Sequence, residues 1–304
     1  MPDLQPTEGK IPFPYGGEIF ETYYKLVGEL TPSSPAPLIV VHGAPGTSHD
    51  YLVPLSDIAT GGGPSARPVI FYDQIGSSRS THLPDKPVSF WSFDLFIAEV
   101  ENVVRHFKVE DAYHLLGHSW GGMVVAELVV RRHPRGLKSV VLANTLATAA
   151  SYNASVKRME RAMPGGVGET IEQHEKNGTM DDPEYAKAVM AFYASHACRV
   201  KPFPEEILFT LSQQAGDGER VWAALKETIF NDIWDFRAEI HLIDVPALLI
   251  NGEYDYMTDE VCGPFFWNMD KVKWVKFAES SHMPHWEERE RYMDVLRNFM
   301  DHWR

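Results

Sequence analysis

The chain has 304 residues, 44% of them hydrophobic, with 28 Lys and Arg against 42 Asp and Glu and a formal net charge of -14. That size and apolar content support one large core, or a core with an inserted subdomain. So acidic a chain repels phosphate backbones, which argues against nucleic acid as a partner, and no run approaches the roughly 18 consecutive apolar residues of a membrane span. The opening segment MPDLQPTEGKIPFP is polar and proline-rich, unlike a secretory signal, so the cytoplasm is the expected compartment. Cys198 and Cys262 make no C-x-x-C pair and no disulfide framework. Glycosylation triplets occur at Asn153 and Asn177, but without a signal they carry no meaning.

In chain order, an irregular lead precedes GEIFETYYKLVG, which reads as an antiparallel hairpin within the first 30 residues. Short apolar runs follow: PLIVVHG, PVIFYD, AYHLLG, LKSVVLAN and VPALLING. Runs of this kind are how strands buried on both faces of a parallel sheet read. GGGPSARP, between the first two, precedes a strand rather than a helix and reads as a flexible loop, not a phosphate cradle. SFDLFIAEVENVVRHF places Phe93, Phe96, Ile97, Val100 and Val104 at helical spacing. Alternation of strands and amphipathic helices predicts a doubly wound, mostly parallel α/β sheet. The pattern lapses over residues 145–236, which are rich in helix formers and charge and show no clear strand, and resumes at Val245. Residues 1–144 and 237–304 are therefore expected to form the α/β core, and residues 145–236 a helical lid over the carboxyl edge of the sheet. There is no internal repeat.

LLGHSWGGMVV holds a G-x-S-x-G match in which Ser119 stands between an apolar strand-like run and a helical one ending near Pro134. Strand, sharp turn and helix are the context of a nucleophile elbow, and Gly117 and Gly121 then have a steric reason where strand and helix meet. A serine hydroxyl needs a base, and the base an orienting acid. Asp255 follows the buried run VPALLING, and His282 follows VKWVKF, each in a loop where a late strand ends. Glu253 and Asp259 are rival acids and His285 a rival base; Asp255 and His282 are preferred by position. His118 would point away from the site if the elbow is real. The histidines show no H-E-x-x-H or similar spacing, so no metal and no cofactor are expected. An oxyanion hole needs two preorganised backbone N–H donors. Trp120, the residue after Ser119, is one; the irregular turn Gly43, Ala44, Pro45, Gly46 is placed to supply the other.

These segments resemble the proline iminopeptidase family of α/β hydrolases. HGAPGTSHDYL is similar to its HGGPG loop, FYDQIGSSRS to its DQ-x-G-x-G-R-S loop and GHSWGG to its elbow, while NGEYD and SSHMPHWE look like its acid and histidine segments. The resemblance runs from about Gly17 to the C-terminus and thins across the lid. It implies an α/β-hydrolase fold, a triad of Ser119, Asp255 and His282, and oxyanion donors at Ala44 and Trp120. It also implies an enzyme that removes N-terminal residues, often proline, or cleaves amino-acid amides.

The chain departs from the family pattern where the free amine is held. No G-P-N-E-F segment occurs; LKETIFNDIWDF occupies the region, with Glu227 the nearest carboxylate. Tyr256 stands after the aspartate where a glutamate is expected. Ala44 and Ser78 each replace a glycine. The expected reaction is acyl transfer to water through an acyl-serine, cleaving an amide or peptide bond of a small molecule or short peptide. An esterase or lactonase of the same fold is the alternative, and a non-catalytic ligand-binding homologue a more distant one. Epoxide hydrolases and dehalogenases carry Asp at the elbow, where this chain has Ser119. The sequence does not fix the oligomeric state.

Overall fold

A computed structural model of the protein describes residues 5–60, 66–214 and 216–303. Residues 61–65, within the segment read as a flexible loop, lie outside the described residues. The chain begins with strands β1 (Thr7–Tyr15), β2 (Glu18–Val27) and β3 (Leu38–Val41), then helix α1 (Asp57–Thr60) and β4 (Val69–Tyr72). Helix α2 (Phe93–His106), β5 (Tyr113–His118), α3 (Trp120–Arg132) and β6 (Leu137–Ala143) follow. Five helices come next: α4 (Ala149–Ala162), α5 (Val167–Asn177), α6 (Pro183–His196), α7 (Glu205–Ser212) and α8 (Asp217–Thr228). Then come β7 (Ala247–Gly252), α9 (Asp259–Asn268), β8 (Val272–Phe277), α10 (Pro284–Glu287) and α11 (Arg289–His302).

The eight strands make one sheet in the order β1-β2-β4-β3-β5-β6-β7-β8. It is parallel from β4 to β8, and antiparallel where β2 meets β1 and β4. The expected hairpin is corrected in one respect: GEIFETYYKLVG is its second strand alone, and the lead taken as irregular is its first. Pro12 and Pro14 hid that strand. They pair with Glu21 and Ile19, alternating with Tyr15, which lies opposite Glu18 across the two-residue turn. At such positions the missing N–H would point away from the partner strand, so proline costs no ladder bond. The turn itself is Gly16-Gly17, at φ 60° and 84°, the glycine-favouring geometry of a tight hairpin.

Both faces of the parallel strands are covered, which is why they read as unbroken apolar runs. In β3, Ile39 and Val41 pack with Phe96, Val100 and Val124 of α2 and α3, while Leu38 and Val40 pack with Ile58, Leu296 and Met300 of α1 and α11. The five apolar positions read along α2 are all buried. Between β6 and β7 the described residues contain only helices, turns and one isolated bridge, Thr148 to Asp235. That bridge, with Ala149 N–H donating to Trp234 O and Phe236 N–H to Ala147 O, fastens the two ends of the segment together.

A tight backbone approach lies where β5 turns into α3. A Cβ on Gly121 would stand 2.0 Å from Val41 O, and one on Gly117 2.3 Å from Gly121 O. Neither partner is a side chain that can swing aside. Gly121→Ala should therefore cost at least about 3 kcal/mol, giving insoluble protein or a Tm lowered by about 5 °C or more. A thermal melt within a degree of wild type would show that this crossing is looser than the geometry requires.

Candidate active site

Ser119 sits between β5 and α3 at φ 54°, ψ -119°, a conformation few non-glycine residues adopt. Three hydrogen bonds hold its backbone there. Its N–H donates to Ala143 O at 2.9 Å, and its carbonyl accepts from Gly122 N–H at 2.9 Å and from the Thr145 hydroxyl at 2.7 Å. Trp120 opens α3, so its N–H has no carbonyl of the same helix to bond and faces the end where the dipole favours negative charge.

Asp255 lies after β7 and His282 after β8, and the two meet. His282 Nδ1–H donates to Asp255 Oδ1 at 2.9 Å, leaving Nε2 as the free ring nitrogen of the neutral form. Asp255 has no solvent exposure and accepts two further bonds, from Met257 N–H at 2.8 Å and Asn144 Nδ2 at 2.7 Å. Asn144 follows Ala143, whose carbonyl anchors Ser119, so the end of β6 joins the serine to the acid. Sequence reasoning passed over Asn144. Its only signal is a polar residue directly after a buried strand.

The rival acids are engaged elsewhere. Lys276 pairs with Glu253 at 2.7 Å and with Asp259 at 2.9 Å, and both carboxylates are about half exposed. His285 is buried and donates from Nε2 to Tyr51 O at 3.0 Å, without a carboxylate partner among the described residues. His118 is buried too and bonds Tyr51 and the His282 carbonyl.

The loop after β3 passes over the serine: a Cβ on Gly43 would lie 2.7 Å from Ser119 Cβ. Gly43 N–H is already donated to Tyr51 Oη at 2.8 Å and Pro45 has none, while Ala44, at φ 45°, and Gly46 find no acceptor for their N–H groups among the described residues. The DQ segment fixes this loop. Gln74 donates from Nε2 to His42 O at 2.7 Å and accepts the Trp120 indole N–H at 2.9 Å. Its own N–H donates to His42 Nε2 at 3.0 Å, so His42 Nδ1–H donates to Gly43 O. Burial lowers the His42 imidazole to about 4, keeping it neutral. Asp73 accepts from His49 and from Arg79, whose guanidinium also grips Asp50 with two bonds of 2.9 Å. Burial alone would raise the Asp73 carboxyl, but His49 and Arg79 outweigh it and hold it well below the usual range. Ser78, like Ala44, stands at φ 45°; both glycine replacements fall where the backbone favours glycine.

Tyr256 stacks on His282, ring centroids 4.4 Å apart. Further rings join it in an arc: Tyr256 to Tyr152 at 6.2 Å, Tyr152 to Phe230 at 5.9 Å, and Phe230 to Trp120 at 6.0 Å. Glu227 lies in the last turn of α8, exposed, with no ion pair among the described residues. Among the described residues the buried carboxylate of the inter-strand helices is instead Glu160 of α4, and it is paired with Lys157 at 3.0 Å.

This arrangement of sheet, elbow and late-strand acid and histidine is that of an α/β hydrolase. A profile of the α/β hydrolase fold family matches residues 36–289, and the chain belongs to that family. It is 32% identical over 302 residues to a proline iminopeptidase of Lactobacillus delbrueckii subsp. lactis, covering 98% of this chain and 99% of the relative. Among solved structures it superposes on VinJ with a TM-score of 0.87 at 31% identity, covering 99% of this chain and all of the other. The Mycobacterium smegmatis proline iminopeptidase matches with a TM-score of 0.81 at 31% identity, covering 97% and 98%. No helix among the described residues is long and apolar enough to cross a membrane.

The DQ loop also rests on Glu99 of α2, fully buried, whose carboxyl is bonded to Thr22 Oγ1 and to Ile75 N–H. Burial pushes this carboxyl up from 4.5 to about 8, even though both bonds act to lower it. Between those values the unfolded chain has lost the proton while the folded chain keeps it. Glu99 therefore subtracts stability as pH rises through that window, and the loss levels off above about 8. Glu99→Gln keeps an acceptor and a donor but removes the titration. Its stability relative to wild type should grow from pH 5 to pH 9 by at least about 1.4 kcal/mol, the worth of one pKa unit. Denaturant unfolding across that range checks it; parallel curves for the two proteins would show that Glu99 ionises freely.

Proposed function

We propose that this chain is a serine hydrolase that cleaves an amide or peptide bond beside a small or cyclic residue, acting on a small molecule or short peptide. The observation that carries the reading is the buried Asp255–His282 hydrogen bond beside a serine held in an elbow at a helix N-terminus. Ser119 Oγ attacks the carbonyl carbon while His282 Nε2 takes its proton. The oxyanion is received by the N–H groups of Ala44 and Trp120. His282 then protonates the leaving amine, the amine departs, and water hydrolyses the acyl-serine by the same steps. Asp255 holds the imidazole tautomer and stabilises the imidazolium. The helices of residues 145–236 act as a lid; the His282 N–H bond to His196 O at the end of α6 supports that role.

The relatives named as proline iminopeptidases favour an amine-bearing substrate. Tyr256 and the exposure of Glu227 favour the second reading, an esterase or lactonase, because neither offers a buried carboxylate to an ammonium.

Ser119→Ala should fold normally and lose about a millionfold in kcat, and Asp255→Asn should lower kcat by roughly ten-thousandfold with binding nearly unchanged. Steady-state rates test both. More than about a percent of wild-type rate in Ser119→Ala would place the nucleophile elsewhere.

The two substrate readings separate on a panel of amides and esters. A free-amine prolyl amide should exceed its N-acetylated analogue in kcat/KM by less than about a hundredfold, since breaking a buried ion pair costs roughly 3–5 kcal/mol and no such pair is in place here. Activated esters should turn over at least as fast as amides. A preference above about a thousandfold for the free amine would require a lid carboxylate to bind it, and Glu227→Gln would then report whether that residue does.

A further inference from the structure

Three hydrogen bonds run in one direction through the floor of the site. Gly43 N–H donates to Tyr51 Oη at 2.8 Å, Tyr51 Oη lies 2.8 Å from His118 Nδ1, and His118 Nε2 lies 2.9 Å from His282 O. The proton positions follow from chemistry. A carbonyl can only accept, so His118 carries its proton on Nε2. Nδ1 of the neutral ring is then an acceptor and takes the Tyr51 hydroxyl proton, and the Tyr51 oxygen accepts from Gly43. Tyr51, His118 and His282 are each less than 5% exposed, so water does not compete for these bonds. Burial, together with the neighbouring His282 and His285, holds the His118 imidazole well below its ordinary range, which keeps it in the neutral form the chain of bonds requires.

We propose that Tyr51 and His118 are positioning residues that set the catalytic histidine's backbone and the oxyanion loop at a fixed separation across Ser119. The proposal rests on the serine-hydrolase reading above. Gly43 is the residue before the oxyanion donor Ala44, and His118 is the residue before the nucleophile. One chain of bonds thus fixes three parts of the site that come from the ends of three different strands. Tyr51 is itself anchored: its N–H donates to Thr210 Oγ1 of α7 at 3.1 Å, and its carbonyl accepts from His285 Nε2 and from the Trp286 indole at 2.6 Å. The rings reinforce the bonds, with His118 and His282 centroids 4.6 Å apart and Tyr51 and His118 centroids 5.2 Å apart. Misplacement of either end by about an ångström is the kind of error that costs roughly a hundredfold in rate.

The test measures p-nitrophenyl acetate hydrolysis in the full chain, with active sites counted by a fluorophosphonate. Tyr51→Phe keeps the ring and removes only the hydroxyl, so it should fold. Tyr51→Phe and His118→Leu should each lower kcat per titrated site by about 10- to 100-fold, with KM held within about threefold. His118→Gln presents an amide oxygen and nitrogen at nearly the spacing of the two ring nitrogens, and should recover to within about fivefold of wild type. Because the two residues act in one chain, Tyr51→Phe with His118→Leu should be no more than about threefold worse than the poorer single variant. A purely structural role would lower Tm or the number of titratable sites and leave kcat per site alone. Wild-type kcat per site in Tyr51→Phe, or a glutamine no better than leucine, overturns the proposal. A wild-type protein whose Ser119 takes no fluorophosphonate overturns the hydrolase reading and the relay with it; a labelled wild type with unaffected variants overturns the relay alone.

Discussion

The crossing of α3 over the end of β3 is the constraint from which the rest of the site follows. Gly121 lies against Val41 O with no room for a Cβ, so the helix can begin only one residue after β5 ends, and the chain must reverse within Ser119. The strain of such a conformation is of order 1–3 kcal/mol. The three hydrogen bonds on the Ser119 backbone, each worth about 1 kcal/mol net, are enough to over-determine it. The same crossing puts the loop after β3 over the serine and the N-terminus of α3 beneath it. The proposed nucleophile and oxyanion donors therefore follow from one packing contact, not from separately placed parts.

Around that contact, buried polarity is handled by keeping histidines neutral. His42 is lowered to about 4 and His285 to about 3, chiefly by burial, and burial also holds His118 well below its ordinary range. Near neutral pH each acts as a fixed donor and acceptor and carries no charge. On the proposed mechanism this matters for His282, which must become an imidazolium in the transition state. A buried cation within a few ångströms would oppose that charge. Within the DQ loop, Arg79 pairs directly with Asp73 and Asp50, so this charged cluster is closed on itself.

Much of this was legible in the sequence because it depends on local pattern. The five parallel runs, the amphipathic α2, the elbow and the positions of Asp255 and His282 all read from periodicity, glycine spacing and strand order. The first strand did not, because Pro12 and Pro14 look like breakers until the pairing register shows that their missing N–H groups are not needed. Asn144, Tyr51, Gln74 and Glu99 were not legible either. Each acts on a residue distant in the chain: Asn144 on Asp255, Tyr51 on His118, Gln74 on Trp120, Glu99 on Thr22. No spacing rule connects such pairs. The glycine replacements at Ala44 and Ser78 were visible as letters, but their meaning required φ: each puts a side chain on a left-handed backbone.

The aromatic arc decides how a substrate amine can be held. Trp120, Phe230, Tyr152 and Tyr256 run from the oxyanion side of the serine to the face of His282. Burial raises the Tyr152 and Tyr256 phenols far above neutrality, so this wall carries no negative charge. An ammonium can still rest on the ring faces, a contact worth about 0.5–2 kcal/mol. A buried carboxylate pair is a different matter, because breaking one costs roughly 3–5 kcal/mol. At about 1.4 kcal/mol per tenfold, rings alone distinguish a charged amine from a blocked one by no more than some thirtyfold, where carboxylates give from about a hundredfold to a few thousandfold. On the proposed reading, Tyr256, where the family pattern has a glutamate, offers apolar area in place of charge next to His282. On the proposed reading such a wall would select an acyl group by the surface it buries, and would tolerate an amide or an ester leaving group behind it.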